Sequence, residues 1–493
     1  MGKARYVLSI DQGTTGTHVS VVDAKVQVVG RAYQEFHQSF PKPGWVEHNL
    51  DEIWKSVETT TTKALKEAGL KGKDILTIGI TNQRETTGLW QRNGTPVHPA
   101  IVWQDRRTSE YCAELKARGE EAQVRATTGL VLDPYFSATK LRWLLDNVKG
   151  VGKRVDAGDL CFGTIDTWLV YKLTGHTAHV TDVSNASRTL LMNLQTLQWD
   201  EKMLELFGIP RPLLPRICGS SELYGHTKGM LSLPDGIPIA GIAGDQQAAL
   251  FGQACFTPGE AKCTYGTGAF LLMNVGNKPV VSKAGLLSTV AWKVGDKTSY
   301  ALEGSSFIAG AAVQWLRDGL GIIKKASHVE RLANEVKDSG AVVFVPALAG
   351  LGAPHWRPEA RGLFAGIDRS TKAAHLARAV LEGVALQIFD LADAMRLDSG
   401  RDIPAFKVDG GMVKNDLLMQ FQADMLGTNV VRPQNAETTS LGAAFLAGLG
   451  VGLWSSPEQI RKSWKAEKIF KPKMTAEARA QHLQKWRDAV KRA

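Results

Sequence analysis

A short polar turn near the start of the chain has the composition of a phosphate-binding loop. It reads Asp11-Gln-Gly-Thr-Thr-Gly-Thr17 and lies between apolar, strand-like runs at residues 6–10 and 18–22. Glycine permits close backbone approach, threonine hydroxyls and backbone N–H groups can face an anion, and the aspartate can hold a metal ion beside it. We therefore expect a nucleotide polyphosphate with Mg²⁺ to bind here. The alternative is an ordinary β-hairpin, since Gly/Thr turns are common in hairpins.

Two well-known nucleotide-binding patterns are missing from the sequence. No stretch reads Gly-x-x-x-x-Gly-Lys-Ser/Thr, and no Gly-x-Gly-x-x-Gly opens a helix after a strand. The phosphate loop is thus predicted to join two strands, and neither a Walker loop nor a dinucleotide fold is indicated.

A second turn of the same kind occurs about half a chain later. Ala261-Lys-Cys-Thr264 is strand-like, Tyr265-Gly-Thr-Gly268 is a tight turn, and residues 269–275 are strand-like again. The pair suggests two similar halves, each offering a loop to the same polyphosphate. A third segment, Phe406-Lys-Val-Asp-Gly-Gly411, reads as a strand, a glycine turn and the start of a helix, whose N-terminus favours anions.

Polar residues capable of acid–base chemistry follow two predicted strands. Ile75-Leu-Thr-Ile-Gly-Ile80 reads as a buried strand that runs into Thr81-Asn-Gln-Arg-Glu-Thr86. The small-residue run Ala240-Gly-Ile-Ala-Gly244 delivers Asp245 just before a helix. In open α/β sheets, ligands bind at the carboxyl ends of strands. Asp245 can act as a general base there, although an aspartate at this position can also cap the helix.

The elements that must position these residues alternate between strand and helix, which predicts an α/β class. A helix is predicted to begin at Asn49 and end at Gly69, because its apolar residues recur on one face. The chain has 493 residues, which favours two to four domains. Its five cysteines form no Cys-x-x-Cys, so we expect a reducing, cytoplasmic location rather than disulfides or a zinc site.

The positive charge of the chain is concentrated at its C-terminal end. Residues 461–493 contain eleven Lys/Arg and three Asp/Glu, a net charge of +8 out of +10 for the chain. Such a tail could bind nucleic acid or an anionic surface. A solvated helix at residues 475–492 is the favoured interpretation, because no nucleic-acid-binding motif accompanies the charge. No run is apolar and long enough to predict membrane insertion.

Taken together, the motifs resemble those of the FGGY carbohydrate kinases over almost the full length, and within that family the members that act on glycerol. The matching segments include Asp11-Gln-Gly-Thr-Thr15, Gly79-Ile-Thr-Asn-Gln-Arg-Glu-Thr86, Trp103-Gln-Asp-Arg-Arg107, Tyr135-Phe-Ser-Ala-Thr-Lys140, Gly244-Asp-Gln-Gln-Ala-Ala-Leu250, Thr264-Tyr-Gly-Thr-Gly268 and Asp409-Gly-Gly411. The resemblance implies two actin-like (ribonuclease H-like) ATPase domains with a central cleft, at residues 1–250 and 251–493. It also implies transfer of the γ-phosphate of ATP to the sn-3 hydroxyl of glycerol, and homodimers or homotetramers.

The resemblance assigns roles residue by residue. Asp245 would be the base, and Asp11 would orient Mg²⁺ together with Asp245, through water. The glycerol pocket would consist of Arg84, Glu85, Trp103, Tyr135, Asp245, Gln246 and Phe270, with Gln246 among the hydrogen-bond acceptors. The nucleotide would lie on Thr14, Thr15, Gly16, His18, Thr267, Gly310, Gln314, Gly411 and Asn415. Gly310 and Gln314 also suit a plain packed helix.

One departure from the family pattern falls in the first phosphate loop. Glycerol-phosphorylating relatives usually continue Asp-Gln-Gly-Thr-Thr with Ser-x-Arg, whereas this chain has Gly16, Thr17 and His18. A histidine with an ordinary pKa of ~6.5 is mostly neutral at pH 7. We therefore expect phosphate affinity to be weaker or more pH-dependent than in those relatives.

Two other functions remain open from the sequence alone. Another polyol or ketose kinase of the same family would share most motifs, and an actin- or chaperone-like ATPase would share the paired loops. The latter would not need Arg84, Glu85 and Tyr135 as a polyol pocket.

Overall fold

The computed structural model describes residues 6–493. Its strands are β1 (Tyr6–Gln12), β2 (Gly16–Val22), β3 (Val28–Glu35), β4 (Glu47–His48), β5 (Ile75–Asn82), β6 (Gly88–Gln91), β7 (Ala100–Ile101), β8 (Leu160–Gly163), β9 (Val180–Asp182), β10 (Arg216–Cys218), β11 (Gly225–His226), β12 (Pro238–Gly244), β13 (Ala261–Tyr265), β14 (Ala269–Gly276), β15 (Leu287–Val294), β16 (Lys297–Ser306), β17 (Val343–Val345), β18 (Leu363–Ala365), β19 (Phe406–Asp409), β20 (Val430–Pro433) and β21 (Ala466–Phe470).

The α-helices are α1 (Leu50–Ala68), α2 (Ser109–Ala117), α3 (Glu121–Thr128), α4 (Ser137–Asn147), α5 (Val151–Asp156), α6 (Ile165–Leu173), α7 (Val183–Ala186), α8 (Glu201–Phe207), α9 (Asp245–Gly252), α10 (Gly310–Asp318), α11 (His328–Ala333), α12 (Ala373–Ser399), α13 (Asp416–Leu426), α14 (Thr438–Gly450), α15 (Pro457–Ser463) and α16 (Ala476–Arg492). The predicted helix after Asn49 is confirmed as α1, with the Asn49 side chain accepting N–H groups at its start and Gly69 ending it in the left-handed conformation.

Two mixed sheets of the same internal design form the centres of two lobes. The N-terminal sheet has the order β11-β12-β5-β1-β2-β3, and the C-terminal sheet has the order β15-β16-β14-β13-β19-β20-β21. In each, an antiparallel hairpin (β1–β2 or β13–β14) is extended on one side by a parallel strand, β5 or β19. The three predicted strand–turn units at residues 6–22, 261–276 and 406–411 are therefore confirmed, and the two hairpins occupy equivalent places.

The helix pair α9 and α14 joins the two lobes. Although α14 belongs to the C-terminal half of the chain, it packs on β1, β5 and β12 of the N-terminal sheet, while α9 lies between α14 and strands β13 and β14. Glycines make this crossing possible: a Cβ atom on Gly442 would lie 1.8 Å from the carbonyl oxygen of Ala248, and one on Gly252 would lie 1.9 Å from that of Thr438. The predicted division at residue 250 remains a prediction, and α14 crosses it in space.

The C-terminal basic segment folds as the amphipathic helix α16. The Thr475 side chain accepts the N–H of Ala478 at its start, and Leu483, Trp486 and Val490 are buried against the C-terminal lobe. The five cysteines are all buried with free thiols. Among residues 6–493, no helix combines the length and apolar character needed to cross a bilayer.

Candidate active site

The first phosphate loop lies at the cleft end of the β1–β2 hairpin. Asp11 and His18 are paired across the hairpin, and the loop between the strands exposes Thr15 and half-buries Thr14. The indole Nε1 of Trp103 donates a hydrogen bond of 2.9 Å to the Thr14 hydroxyl. This bond connects the predicted phosphate loop directly to the predicted wall of the polyol pocket.

Four of the predicted polyol residues meet where β5 and β12 end. Arg84 Nε lies 3.2 Å from Asp245 Oδ1, and Arg84 Nη2 lies 3.4 Å from the Tyr135 hydroxyl. The rings of Trp103 and Tyr135 meet edge to face at 5.6 Å. Asp245 is the first residue of α9, whose cap is Gly244, and its side chain is 32% exposed. A carboxylate, a guanidinium and a phenol hydroxyl thus face a small half-open space with an aromatic edge.

Glu85 is held in an unusual backbone conformation beside this space. Its φ is 60°, in the left-handed region that residues other than glycine seldom adopt. The Thr87 and Ser137 hydroxyls both donate to its carbonyl, at 3.0 and 3.1 Å. Strain of this kind persists only where the surroundings fix it, and it concentrates at functional sites.

Two further charged residues, Arg188 and Glu303, complete a buried cluster with Arg84 and Glu85. Glu303 accepts from Arg84 Nη1 at 2.5 Å, and Arg188 Nε donates to Glu85 Oε1 at 2.7 Å. Burial alone would raise the pKa of Glu303, but Arg188 and Arg84 lower it to about 2. Burial raises the pKa of Glu85 above its ordinary value despite the same two arginines. The two carboxylates therefore differ in environment, and Glu303 is the firmly ionised one.

Gln246 is oriented differently from the prediction. Lys262, fully buried on β13, donates from Nζ to Gln246 Oε1 at 2.5 Å and to the Thr264 hydroxyl at 2.8 Å. An ammonium group can only donate, so the amide oxygen must face it and the amide NH₂ remains for a ligand. In this arrangement the NH₂ group of Gln246 would donate to a substrate hydroxyl, in place of the predicted acceptor role. Phe270, on the adjacent strand β14, is half-buried.

Five of the predicted nucleotide residues line one cavity of about 450 Å³ in the C-terminal lobe. It is bounded by the second Gly/Thr loop, the start of α10, the start of α11 and the turn after β19, and it includes Thr267, Gly310, Gln314, Gly411 and Asn415. Gly310 and Gln314 are one turn apart on α10. The second loop is tied to that helix, because the N–H groups of Ala309 and Ala311 donate to the Thr267 carbonyl. A partly apolar cleft of this size suits a nucleoside.

Asp409 stands between this cavity and the lobe junction. Its carboxylate accepts hydrogen bonds from the Thr264 hydroxyl at 2.5 Å, the Thr438 hydroxyl at 2.7 Å and Gln253 Nε2 at 2.8 Å. The next residue, Gly410, has a φ of 94°, and a Cβ atom there would lie 2.4 Å from the Tyr265 carbonyl oxygen. Backbone geometry at the base of the second loop therefore requires the first glycine of the Asp-Gly-Gly motif, whereas a Cβ atom on Gly411 would meet nothing within 4 Å.

The departures at Gly16 and His18 have structural reasons. A Cβ atom on Gly16 would lie 2.6 Å from the ring of Tyr33 on β3, so this residue opens β2 without room for a side chain. His18 Nδ1 lies 3.2 Å from the Ser440 hydroxyl, and its Nε2 lies 3.7 Å from Glu437 at the start of α14. Burial lowers the pKa of His18 below 6.5, against a smaller opposing effect of Glu437.

This environment predicts how the affinity for ATP depends on pH. A lowered pKa keeps His18 neutral from pH 6.5 upward, and the cation forms only in more acidic solution. We expect His18→Arg, which carries a permanent charge, to lower the KM for ATP about 2- to 5-fold at pH 7–8, the size of one screened charge interaction. The gap should narrow at the acidic end of the range, as His18 of the parent becomes protonated.

Steady-state ATP titrations from pH 5.5 to 8 test this expectation. His226→Arg adds the same charge on the exposed edge strand β11 and should leave the KM for ATP unchanged. Equal KM values for His18→Arg and the parent at every pH would contradict it.

Four residues of the site were missed by sequence reasoning: Arg188, Lys262, Gln247 and Glu303. Lys262 and Glu303 lie within apolar strands, in Ala261-Lys-Cys and Leu302-Glu-Gly. A charged residue in the middle of an apolar strand is seldom buried without a partner, and this signal could have found both. Gln247 Oε1 accepts from Arg84 at 3.1 Å, yet nothing in its local sequence indicates this contact.

The two lobes carry paired Gly/Thr loops, a nucleoside-sized cavity and a polar pocket at the strand ends. Together these features define a phosphotransferase of the actin-like ATPase class. Models of the FGGY family of carbohydrate kinases match the chain, the N-terminal domain at residues 6–252 and the C-terminal domain at residues 261–451. The chain belongs to the FGGY family of carbohydrate kinases. The predicted family and the predicted two-lobed α/β fold are thereby confirmed.

Individual members of the family are similar to this chain over its full length. The chain is 71% identical to a glycerol kinase of Myxococcus xanthus over 100% of both chains, and 54% identical to a glycerol kinase of Bdellovibrio bacteriovorus over 100% of both. Among solved structures, the glycerol kinase of Plasmodium falciparum with ADP superposes with a TM-score of 0.93 at 39% identity, covering 99% of this chain and 98% of that one.

Proposed function

We propose that the chain catalyses the ATP-dependent phosphorylation of glycerol at its sn-3 hydroxyl. The observation that carries this proposal is the convergence of Arg84, Asp245, Tyr135 and Trp103 at the strand ends between the two Gly/Thr loops. A small triol needs such a set, because each buried hydroxyl left unpaired costs about 1–3 kcal/mol. The full-length likeness to named glycerol kinases supports the same substrate.

Phosphoryl transfer requires positioning and charge stabilisation more than covalent help from the protein. Asp245 is the proposed base: it takes the proton of the glycerol hydroxyl as that oxygen attacks the γ-phosphorus. The bond from the γ-phosphorus to the β–γ bridging oxygen breaks, and ADP leaves. Arg84 Nε, 3.2 Å from Asp245 Oδ1, fixes the orientation of the carboxylate.

The aromatic residues of the pocket would enclose the carbon chain of glycerol. Trp103 and Tyr135 belong to the N-terminal lobe and Phe270 to the C-terminal one, so the wall closes only between lobes. Glu85 and Gln246 would complete the hydrogen bonds to the hydroxyls. Such closure would exclude water from the site, and this would prevent the hydrolysis of ATP without phosphorylation of glycerol.

Asp11 and Asp245 are the residues proposed to hold Mg²⁺, through water. Burial, together with the carboxylates of Asp245 and Glu437, raises the pKa of Asp11 to about 7. Such uncompensated negative charge suits a divalent cation, and Mg²⁺ usually keeps several waters and uses one or two carboxylates. When bound, Mg²⁺ neutralises charge on the phosphate oxygens. Residues 6–493 contain no group of three or more His, Cys, Asp and Glu side chains arranged around one metal position.

The nucleotide is proposed to rest with its nucleoside in the cavity of the C-terminal lobe and its phosphates between the two Gly/Thr loops. Thr14, Thr15 and Thr267 would contact the phosphates, and Gly16 and His18 would shape the first loop. The buried free thiols fit a reducing compartment, and the cytoplasm is the proposed location. Homodimers or homotetramers remain the expected assembly.

A coupled ADP-release assay with glycerol, dihydroxyacetone, erythritol and xylulose tests the proposal. We expect glycerol to give the highest kcat/KM and ADP release without a polyol to be negligible. A higher kcat/KM with xylulose would identify a different kinase of the family. ATP turnover that glycerol leaves unchanged would identify an ATPase instead.

A further inference from the structure

Four fully buried charged side chains connect the two lobes behind the polyol pocket. Arg84, Glu85 and Arg188 come from the N-terminal half, whereas Glu303 lies on β16 of the C-terminal sheet, and none of the four side chains is more than 2% exposed. Buried ion pairs add little net stability compared with apolar packing, but charge-assisted forks fix side-chain orientation tightly. The main effect of these ion pairs is therefore to fix the orientation of the side chains that form them.

Both carboxylate oxygens of Glu303 accept hydrogen bonds from the end of the Arg84 guanidinium. Arg84 Nη1 donates to Oε2 at 2.5 Å, and Nη2 donates to Oε1 at 2.9 Å. This two-point contact sets the plane of the guanidinium, which leaves its Nε edge 3.2 Å from Asp245 and its Nη2 3.4 Å from the Tyr135 hydroxyl. The long contact to Tyr135 is the one that a substrate hydroxyl can most readily replace.

Arg188 links Glu303 to Glu85, because it donates hydrogen bonds to both carboxylates. Its Nη2 donates to Glu303 Oε1 at 2.9 Å, and its Nε donates to Glu85 Oε1 at 2.7 Å. Arg188 Nη1 is buried and has no hydrogen-bond partner among the described residues. The position of Arg188 is thus set by two carboxylates, one from each lobe.

We propose that Glu303 and Arg188 are positioning residues of the glycerol site, with Glu303 orienting Arg84 directly and Glu85 through Arg188. This inference rests on the proposed function. It means that polyol recognition depends on a strand of the nucleotide-binding lobe, and that the glycerol pocket is complete only when the two lobes are in contact. Removing the charge of Glu303 should weaken the binding of glycerol while leaving the nucleotide cavity, which Glu303 does not line, unaffected.

The test is Glu303→Gln, which keeps the shape of the side chain and removes its charge. We expect the KM for glycerol to rise about 10- to 100-fold, the value of one charge-assisted hydrogen bond, and the KM for ATP at saturating glycerol to change less than about twofold. The matched control is Glu260→Gln, in the same lobe, where a partly buried glutamate pairs with Arg461 and lies 3.9 Å from Lys407. This control should lower thermal stability without changing the KM for glycerol.

An unchanged KM for glycerol in Glu303→Gln, with or without a lower melting temperature, would overturn the proposal. If that variant does not fold, Glu303→Asp and Arg188→Lys decide, because both keep the charge and lose the two-point geometry; each should raise the KM for glycerol several-fold and leave that for ATP unchanged. Failure of the parent to phosphorylate glycerol at all would instead refute the proposed function, so the two failures are distinguishable.

Discussion

Asp245→Asn should abolish nearly all turnover while leaving the protein folded and able to bind glycerol. A positioned general base contributes about 10²–10⁴-fold, and we expect kcat to fall by that factor because the amide cannot take the hydroxyl proton. The amide keeps the volume of the carboxylate, and its oxygen can still face Arg84 Nε, which lies 3.2 Å from Asp245 Oδ1 in the parent. Calorimetric titration should therefore show glycerol binding within about tenfold of the parent.

The matched control for this variant is Asp200→Asn. Asp200 caps α8 in the same lobe by accepting N–H groups of Lys202 and Met203, and asparagine caps helices equally well. Its kcat should equal that of the parent. A kcat for Asp245→Asn within about fivefold of the parent would exclude Asp245 as the base.

The second large effect is expected at the helix crossing between the lobes. In Gly442→Ala the new methyl group would lie 1.8 Å from the carbonyl oxygen of Ala248, so α9 and α14 would have to move apart. Overpacking typically costs about 1–3 kcal/mol and more where backbone opposes backbone. Because α9 begins at Asp245, we expect both a lower melting temperature and a loss of kcat of at least about tenfold.

Gly152→Ala serves as the control for the same chemical change. Gly152 lies in α5, and a Cβ atom there would meet nothing within 4 Å. Alanine in a helix is favoured over glycine by about 0.5–1 kcal/mol, so this variant should be as stable as the parent or slightly more so. Thermal unfolding followed by circular dichroism compares the two. A melting temperature for Gly442→Ala within about 2 °C of the parent would show that the crossing tolerates a side chain.

The local parts of this site could be predicted from the sequence. Both Gly/Thr hairpins, the strand before Arg84 and the delivery of Asp245 at a strand end follow from short apolar runs and the turns between them. Each of these signals lies within about ten residues, the range over which periodicity and turn chemistry act.

The rest of the site depends on contacts between distant parts of the chain. Arg84 and Glu303 are 219 positions apart, and Arg188 is 115 positions from Glu303. No local pattern specifies which charge meets which, because that is decided by how the lobes dock. The same holds for Gln246, whose amide orientation depends on the buried ammonium of Lys262. Most of the polar residues of the pocket could therefore be predicted from the sequence. The orientation of their side chains could not, because it depends on these long-range contacts.

The packing of α14 on the N-terminal sheet has a consequence for synthesis on the ribosome. Strands β1, β5 and β12 are complete once residue 244 has emerged, but the helix that covers them ends at Gly450. At about 5–20 residues per second, roughly 10–40 s separate the two events. For that interval the sheet presents an uncovered apolar face, and the nascent chain has to be kept from associating with its neighbours until α14 arrives.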